Sequence, residues 1–368
     1  MSATTLPRPE TAAQARLRLV DCDIHPAMRS GAELDRWLPE RWRRHRREYG
    51  LRLRQPFTAT YPYPKATPAL SRRDSWPPNG GPPGSDLDFM RAQHLDPHDI
   101  EYGMLQPLSV RGMDERVPGF AEAVSRAVNE WQREDWTSRD PRLRGTIAVP
   151  GEDAAAAVRE IERWAGQPDF VQVSLVTRAL EPLGRQRYWP IYEAAEHHGL
   201  PLGLHTLGTS GHSVAGGGWP SFYFEEHQAV AMSLAAMCAS FILEGVAERF
   251  PRLKFVIIEG GFGWVPSLGW RMDSHWKALR SEVPHLRRKP SEYLKSQFWF
   301  TTQPVEEPEN PEHLRRLIGW IGWDRLLFAS DYPHWDSDDP RYAFKCRMSE
   351  AERRAILSAN ARAVYGLA

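Results

Sequence analysis

Leu19-Val20-Asp21-Cys22-Asp23-Ile24-His25-Pro26 is an apolar run that ends in two side chains able to bind a metal, Asp23 and His25. Residues two apart on a strand share a face, so a carboxylate and an imidazole converge where this strand stops. Three later runs end alike: Leu202-Gly203-Leu204-His205, Phe255-Val256-Ile257-Ile258-Glu259-Gly260-Gly261 and Leu326-Leu327-Phe328-Ala329-Ser330-Asp331-Tyr332-Pro333-His334. Strands that each finish in a ligand describe a site at the rim of a parallel barrel, where enzymes of that architecture place their chemistry.

The pattern around these runs agrees. Strands are expected at 17–25, 100–108, 143–149, 169–176, 200–206, 253–260, 297–303 and 325–331. Helices are expected between them, at 86–98, 117–138, 153–165, 187–198, 228–249, 264–280, 311–320 and 349–365. Eight alternating units predict an α/β fold, a (β/α)8 TIM barrel of one domain over 17–368, with residues 1–16 as a disordered leader. No glycine fingerprint for a dinucleotide follows the first strand. Residues 27–85 form an Arg- and Pro-rich insertion after strand one, read as a flap over the mouth or an interface arm. Residues 208–226, with Gly216-Gly217-Gly218-Trp219, read as a surface loop or as a lid above His205.

Composition narrows the class. The chain has 368 residues, with 47 basic and 47 acidic side chains, so no field of one sign favours nucleic acid or an anionic membrane. No uninterrupted apolar run is read as long enough to cross a bilayer. Cys22, Cys238 and Cys346 have no paired spacing, which argues against disulfides and suits a cytoplasmic location. The Pro-rich arm and the 15 tryptophans suit a homodimer acting on a small molecule.

By strand parity Asp23 and His25 point inward, and Glu259 caps a row containing Phe255 and Ile257. Asp331 ends the last strand and closes against the first, near His25. Unpaired buried carboxylates are costly, so a cation is expected among Asp23, His25, His205, Glu259 and Asp331. The three carboxylates sum to −3; one divalent ion leaves −1, and two with a bridging hydroxide leave 0. One or two ions of Zn, Mn or Fe fit this oxygen and nitrogen set. Such an ion lowers the pKa of bound water to about 7. Asp331 and His205 are the expected catalytic residues, with Asp331 moving the proton. Substrate contacts are expected from Arg271, His334, Trp219 and His227, with Glu226 or His227 facing the metal. Thr301, Thr302 and Gln303 are expected to supply polar contacts at the end of strand seven.

Asp-x-His on strand one, His205, Glu259-Gly-Gly-Phe-Gly-Trp264 and Ser330-Asp-Tyr-Pro-His-Trp-Asp336 resemble the amidohydrolase-related family of metal-dependent TIM barrels. That family includes aminocarboxymuconate-semialdehyde decarboxylase, resorcylate-type decarboxylases and various hydrolases. The resemblance covers residues 17–366 and implies a metal held by Asp23, His25, His205 and Asp331. Many members carry His where this chain has Asp23 and Glu259. These changes add negative charge and direct the expectation to a hydrolase of an amide, ester or thioester, with a nonoxidative decarboxylase as the alternative and a hydratase third. A barrel that only binds its ligand is the competing class.

Overall fold

The computed structural model describes residues 17–50, 65–108, 112, 115, 117–206 and 213–368. The expected leader 1–16 lies outside the described residues, as do 51–64 of the insertion and 208–212 of the expected loop or lid. Eight strands run in sequence order around one parallel sheet. They are β1 (Leu19–Ile24), β2 (Ile100–Leu105), β3 (Leu143–Ala148), β4 (Phe170–Val176), β5 (Leu202–His205), β6 (Phe255–Ile258), β7 (Phe298–Thr301) and β8 (Leu326–Leu327). The sheet closes from β8 to β1. Cys22 N–H donates to Phe328 O (2.9 Å), Asp331 N–H to Asp23 O (3.1 Å) and His25 N–H to Tyr332 O (2.8 Å). The expected TIM barrel is the fold.

Side chains sort to the two faces of this sheet. Val20, Cys22, Met104, Val256, Ile258 and Leu327 pack against one another in the lumen, floored by Val364 and Tyr365. Phe255, Ile257, Leu202 and Leu204 belong to the larger shell between strands and helices. Phe255 stacks on Phe298 (4.5 Å) and packs on Phe241 of the helix Tyr223–Leu243. The expected inward row of Phe255 and Ile257 is therefore corrected: Val256 and Ile258 face inward.

The helices follow local chemistry. Asp153 caps Ala154–Trp164 by accepting the Ala156 N–H (3.0 Å), and Ala157, Ile161 and Trp164 bury its inner stripe. Two helices were not anticipated: Glu40–Tyr49 in the insertion, with no buried residue, and Pro290–Gln297 before β7. The helix after β5 starts at Tyr223, five residues ahead of expectation, and carries Glu226 and His227 in its first turns. Contrary to the reading of the bare sequence, this 21-residue helix is long and apolar enough to match a membrane span. Its Val230, Leu234, Phe241 and Ile242 are instead buried against the barrel. The three cysteines are buried and free.

Past the undescribed part, the insertion returns to the loop after β8. Ser71 forms a bridge with His334, Arg72 N–H donates to Pro333 O (3.1 Å) and Trp335 N–H donates to Leu70 O (2.9 Å).

Candidate metal centre

Asp23 and His25 reach the site because β1 is irregular. Between Asp21 and Ile24 the chain advances three residues while its partner, from Gly103 to Leu105, advances two. Such a bulge re-aims the residues that follow it. Cys22 therefore packs into the lumen below the site, while Asp21, of the same parity as Asp23, turns to His94. Glu259 and Asp331 are placed by strain rather than strand parity. Both adopt the left-handed backbone, with φ of 56° and 61°, which non-glycine residues rarely occupy. That turn, not an alternation with Ile257, brings the Glu259 carboxylate to His205.

The side chains meet. His25 Nε2 lies 3.2 Å from Asp23 Oδ1 and 2.7 Å from Asp331 Oδ1. His205 Nε2 lies 3.2 Å from Glu259 Oε2 and 3.8 Å from Asp23 Oδ2. Asp331 Oδ1 also receives His334 Nδ1 at 2.7 Å, and the His334 ring lies over His25 with centroids 4.4 Å apart. One ligand atom each from Asp23, His25, His205 and Glu259 lies within 4.8 Å of the others, and the same holds for His25, Asp331 and His334.

Both imidazoles are oriented from behind. His25 Nδ1 donates to Gln106 O and His205 Nδ1 to Thr206 O, each at 2.8 Å. A ring that donates through Nδ1 presents Nε2 as its ligand atom, and both Nε2 atoms point into the cluster. His25 has one Nε2 lone pair and so serves one ion, which joins the two groups of donors into a single centre.

The donors fit a divalent cation. Both oxygens of Asp23, Oε2 of Glu259 and Oδ2 of Asp331 are buried with no hydrogen-bond partner. Stranded carboxylate oxygens cost several kcal/mol, and a cation is what offsets them. Burial raises the Asp23 pKa against the pull of His25. Burial, then Asp331 and Asp23, push Glu259 well above the carboxylate range. Burial opposes charge on His25, yet Asp23 and Asp331 outweigh it and hold that imidazole well above its ordinary value. Burial also opposes charge on Asp331, but His334 and His25 hold its carboxyl below the usual range. Protons stand here where a metal would.

The other expected residues divide. His227 Nε2 pairs with Asp336 Oδ2 at 3.1 Å, and Trp335 Nε1 donates to Tyr223 OH (3.0 Å), so both residues belong to the rim. Trp219 is about half exposed, with the Arg178 guanidinium 5.5 Å from its ring. Arg271 stands exposed on the helix Trp264–Leu279. Thr301 and Thr302 turn to the backbone instead of the pocket, receiving Glu259 N–H (3.1 Å) and Ala329 N–H (3.2 Å).

Two supports went unread in the sequence. Asp21, fully buried, accepts Ser330 N–H (2.9 Å), Ser330 Oγ–H (2.6 Å), Asp23 N–H (3.2 Å) and His94 Nε2 (2.7 Å), tying β1 to the loop that carries Asp331. Its position in the same run as Asp23 was the available signal. Glu306 accepts Phe262 N–H (2.9 Å) and Gly263 N–H and so holds the turn after Glu259. A Cβ on Gly261 would lie 2.6 Å from Glu306 Oε1, at a backbone φ of +59°, which is why glycine stands there.

The amidohydrolase family profile matches residues 20–367. Gamma-resorcylate decarboxylase of Polaromonas sp. (strain JS666) is 28% identical over 300 residues, 77% of this chain and 88% of that protein. The decarboxylase of the same name from Rhodococcus jostii (strain RHA1) is 27% identical over 304 residues, with the same shares. Among solved structures, an amidohydrolase from Mycobacterium avium subsp. paratuberculosis superposes with a TM-score of 0.73 at 23% identity, covering 95% of this chain and 100% of that one. A dihydroxybenzoic acid decarboxylase from Polaromonas sp. JS666, holding manganese and the inhibitor 2-nitroresorcinol, gives 0.65 at 20%, covering 95% and 97%.

These relatives correct the expected acyl hydrolase, because their reaction is decarboxylation. The added carboxylates misled: charge sets how strongly a cation is held, not which bond of the substrate breaks. With its profile match spanning nearly every described residue and its ligand-bearing strand ends gathered at one rim, the chain belongs to the amidohydrolase family and is an enzyme of that superfamily.

Proposed function

We propose that the protein is a divalent-metal-dependent, nonoxidative decarboxylase of a hydroxylated aromatic acid, with manganese as its metal. The observation that carries this reading is the match, over 77% of the chain, to gamma-resorcylate decarboxylases from several organisms. The buried donor cluster agrees with it, as does the manganese in the structure of a relative.

Asp23, His25, His205, Glu259 and Asp331 are the residues that would hold the ion. When bound, the metal supplies positive charge that orients a carboxylate and an adjacent ring oxygen. The chain supplies the proton. Losing carbon dioxide from an aromatic ring requires a proton at the carbon that bears the carboxylate. The C–C bond then breaks, its electron pair returns to the ring, and CO2 departs. Asp331 is the group for this transfer. Its Oδ1 receives His334 Nδ1, and His334, partly exposed at the rim, would pass it the proton from solvent. Asp21 and Glu306 keep the backbone of the donors in place.

The test is direct. Manganese-loaded protein is incubated with 2,6-dihydroxybenzoate and other hydroxybenzoates in D2O. Equimolar CO2 and one deuterium at the vacated carbon are expected from at least one of them. Absence of CO2 across the series overturns the reading.

A further inference from the structure

Arg178 is the only Arg or Lys among the described residues that is buried as deeply as the metal cluster, at 2% exposure. It stands two residues past Val176, which pairs in register with His205, and Thr177 N–H donates to His205 O (3.1 Å). In a parallel sheet, paired residues point to the same side. Ser174 pairs with Gly203, and Gly203 leaves room for the amide of Gln172, where a Cβ would lie 2.3 Å away. Gln172, Ser174 and Val176 thus form the row beside Gly203 and His205, and Arg178 continues it above the level of His205.

Two segments converge on this guanidinium. Trp219, from the loop after β5, presents its ring face at 5.5 Å. Glu226, in the first turns of the helix Tyr223–Leu243, lies within its electrostatic reach. Glu226 is itself buried, and its Oε1 has no hydrogen-bond partner among the described residues. The next residue, His227, is paired to Asp336 on the loop that carries Asp331 and His334, so this wall is continuous with the metal centre.

A guanidinium carries five N–H donors in a planar fork, enough to keep existing contacts and receive a carboxylate on two of them. Burial holds the Glu226 carboxyl above the usual range against the pull of Arg178. Arg178 then offers the donors, and Trp219 adds an aromatic surface.

We infer that Arg178 and Trp219 form an anion subsite at the barrel mouth, and that the substrate is an aromatic acid bearing a second carboxylate, which is anchored there. That the first carboxylate is the one lost rests on the decarboxylase reading; the subsite does not.

Binding of benzene-1,3-dicarboxylate and of benzoate to manganese-loaded protein, measured by calorimetry, tests it. The wild type is expected to bind the diacid at least tenfold more tightly. Arg178→Met and Arg178→Lys should each reduce that ratio to threefold or less, the lysine because it keeps the charge but loses the fork. Trp219→Ala changes a half-exposed ring, puts folding at little risk, and should also lower the ratio. No diacid preference in the wild type overturns the inference, as does full preference retained in both Arg178→Lys and Trp219→Ala. Release of CO2 from monocarboxylic hydroxybenzoates without diacid preference sinks the subsite and leaves the decarboxylase standing. Diacid preference with no CO2 from any substrate does the reverse.

Discussion

Asp331 accepts His25 and His334 through one oxygen and leaves the other without a partner, so its substitution separates chemistry from folding. Asp331→Asn keeps the shape and removes the carboxylate that relays the proton. Turnover is expected to fall about 10²–10⁴-fold, the usual contribution of a positioned acid, with a largely unchanged circular dichroism spectrum. Near-normal turnover would remove Asp331 from the reaction. Asp338 gives a second prediction at this scale. Burial pushes its carboxyl up to about 7, helped by Asp336 and Asp331. The folded pKa lies above the unfolded value of about 3.9, so ionisation opposes folding. Stability is therefore lost as pH rises from about 4 and levels off above about 7. Asp338→Asn should raise the melting temperature at pH 8, by the equivalent of about 1–3 kcal/mol, and give little change at pH 4. An equal shift at both pH values would refute this account. At this scale Asp23, His25, His205 and Asp331 were legible because each ends an apolar run. Arg178 was not, since nothing in the sequence separates it from the other arginines.

Strands and turns decide where those side chains go. The eight strands could be read from alternating apolar runs and helical stretches. The bulge in β1 could not, because parity alone puts Asp21 and Asp23 on one face. Nor could the left-handed turn at Glu259, which a periodicity of two does not register. Helices Glu40–Tyr49 and Pro290–Gln297 escaped because one has no buried stripe and the other is only eight residues long. The Asp21 contacts lead to a prediction about β1 and β8. Asp21→Asn replaces an acceptor with an amide that turns donors toward Ser330 and His94. The loss of charge-assisted bonds should cost about 2–4 kcal/mol, and manganese affinity should fall about 10–100-fold. Thermal melts and metal titration read the two effects. Unchanged metal affinity in a folded variant would mean that Asp21 supports the barrel but not the ligands.

Across the whole molecule the cluster is a concentration of negative charge at the rim of a closed sheet, in a chain whose formal charges sum to zero. A cation there binds the folded barrel and not the unfolded chain. Stripping the protein with a chelator should lower its melting temperature. Manganese at 100 times its dissociation constant should restore about 2.7 kcal/mol. A melting temperature indifferent to manganese would mean that these carboxylates do not hold it.

His25 and Asp331 are hydrogen-bonded across 306 positions of the chain. The first strand leaves the ribosome early with Asp23 and His25, His205 and Glu259 follow with the fifth and sixth, and Asp331 arrives only with the eighth. A nascent chain thus carries an incomplete donor set until the last strand docks. Metal uptake then becomes a late event in biosynthesis, one that reports completion of the barrel seam.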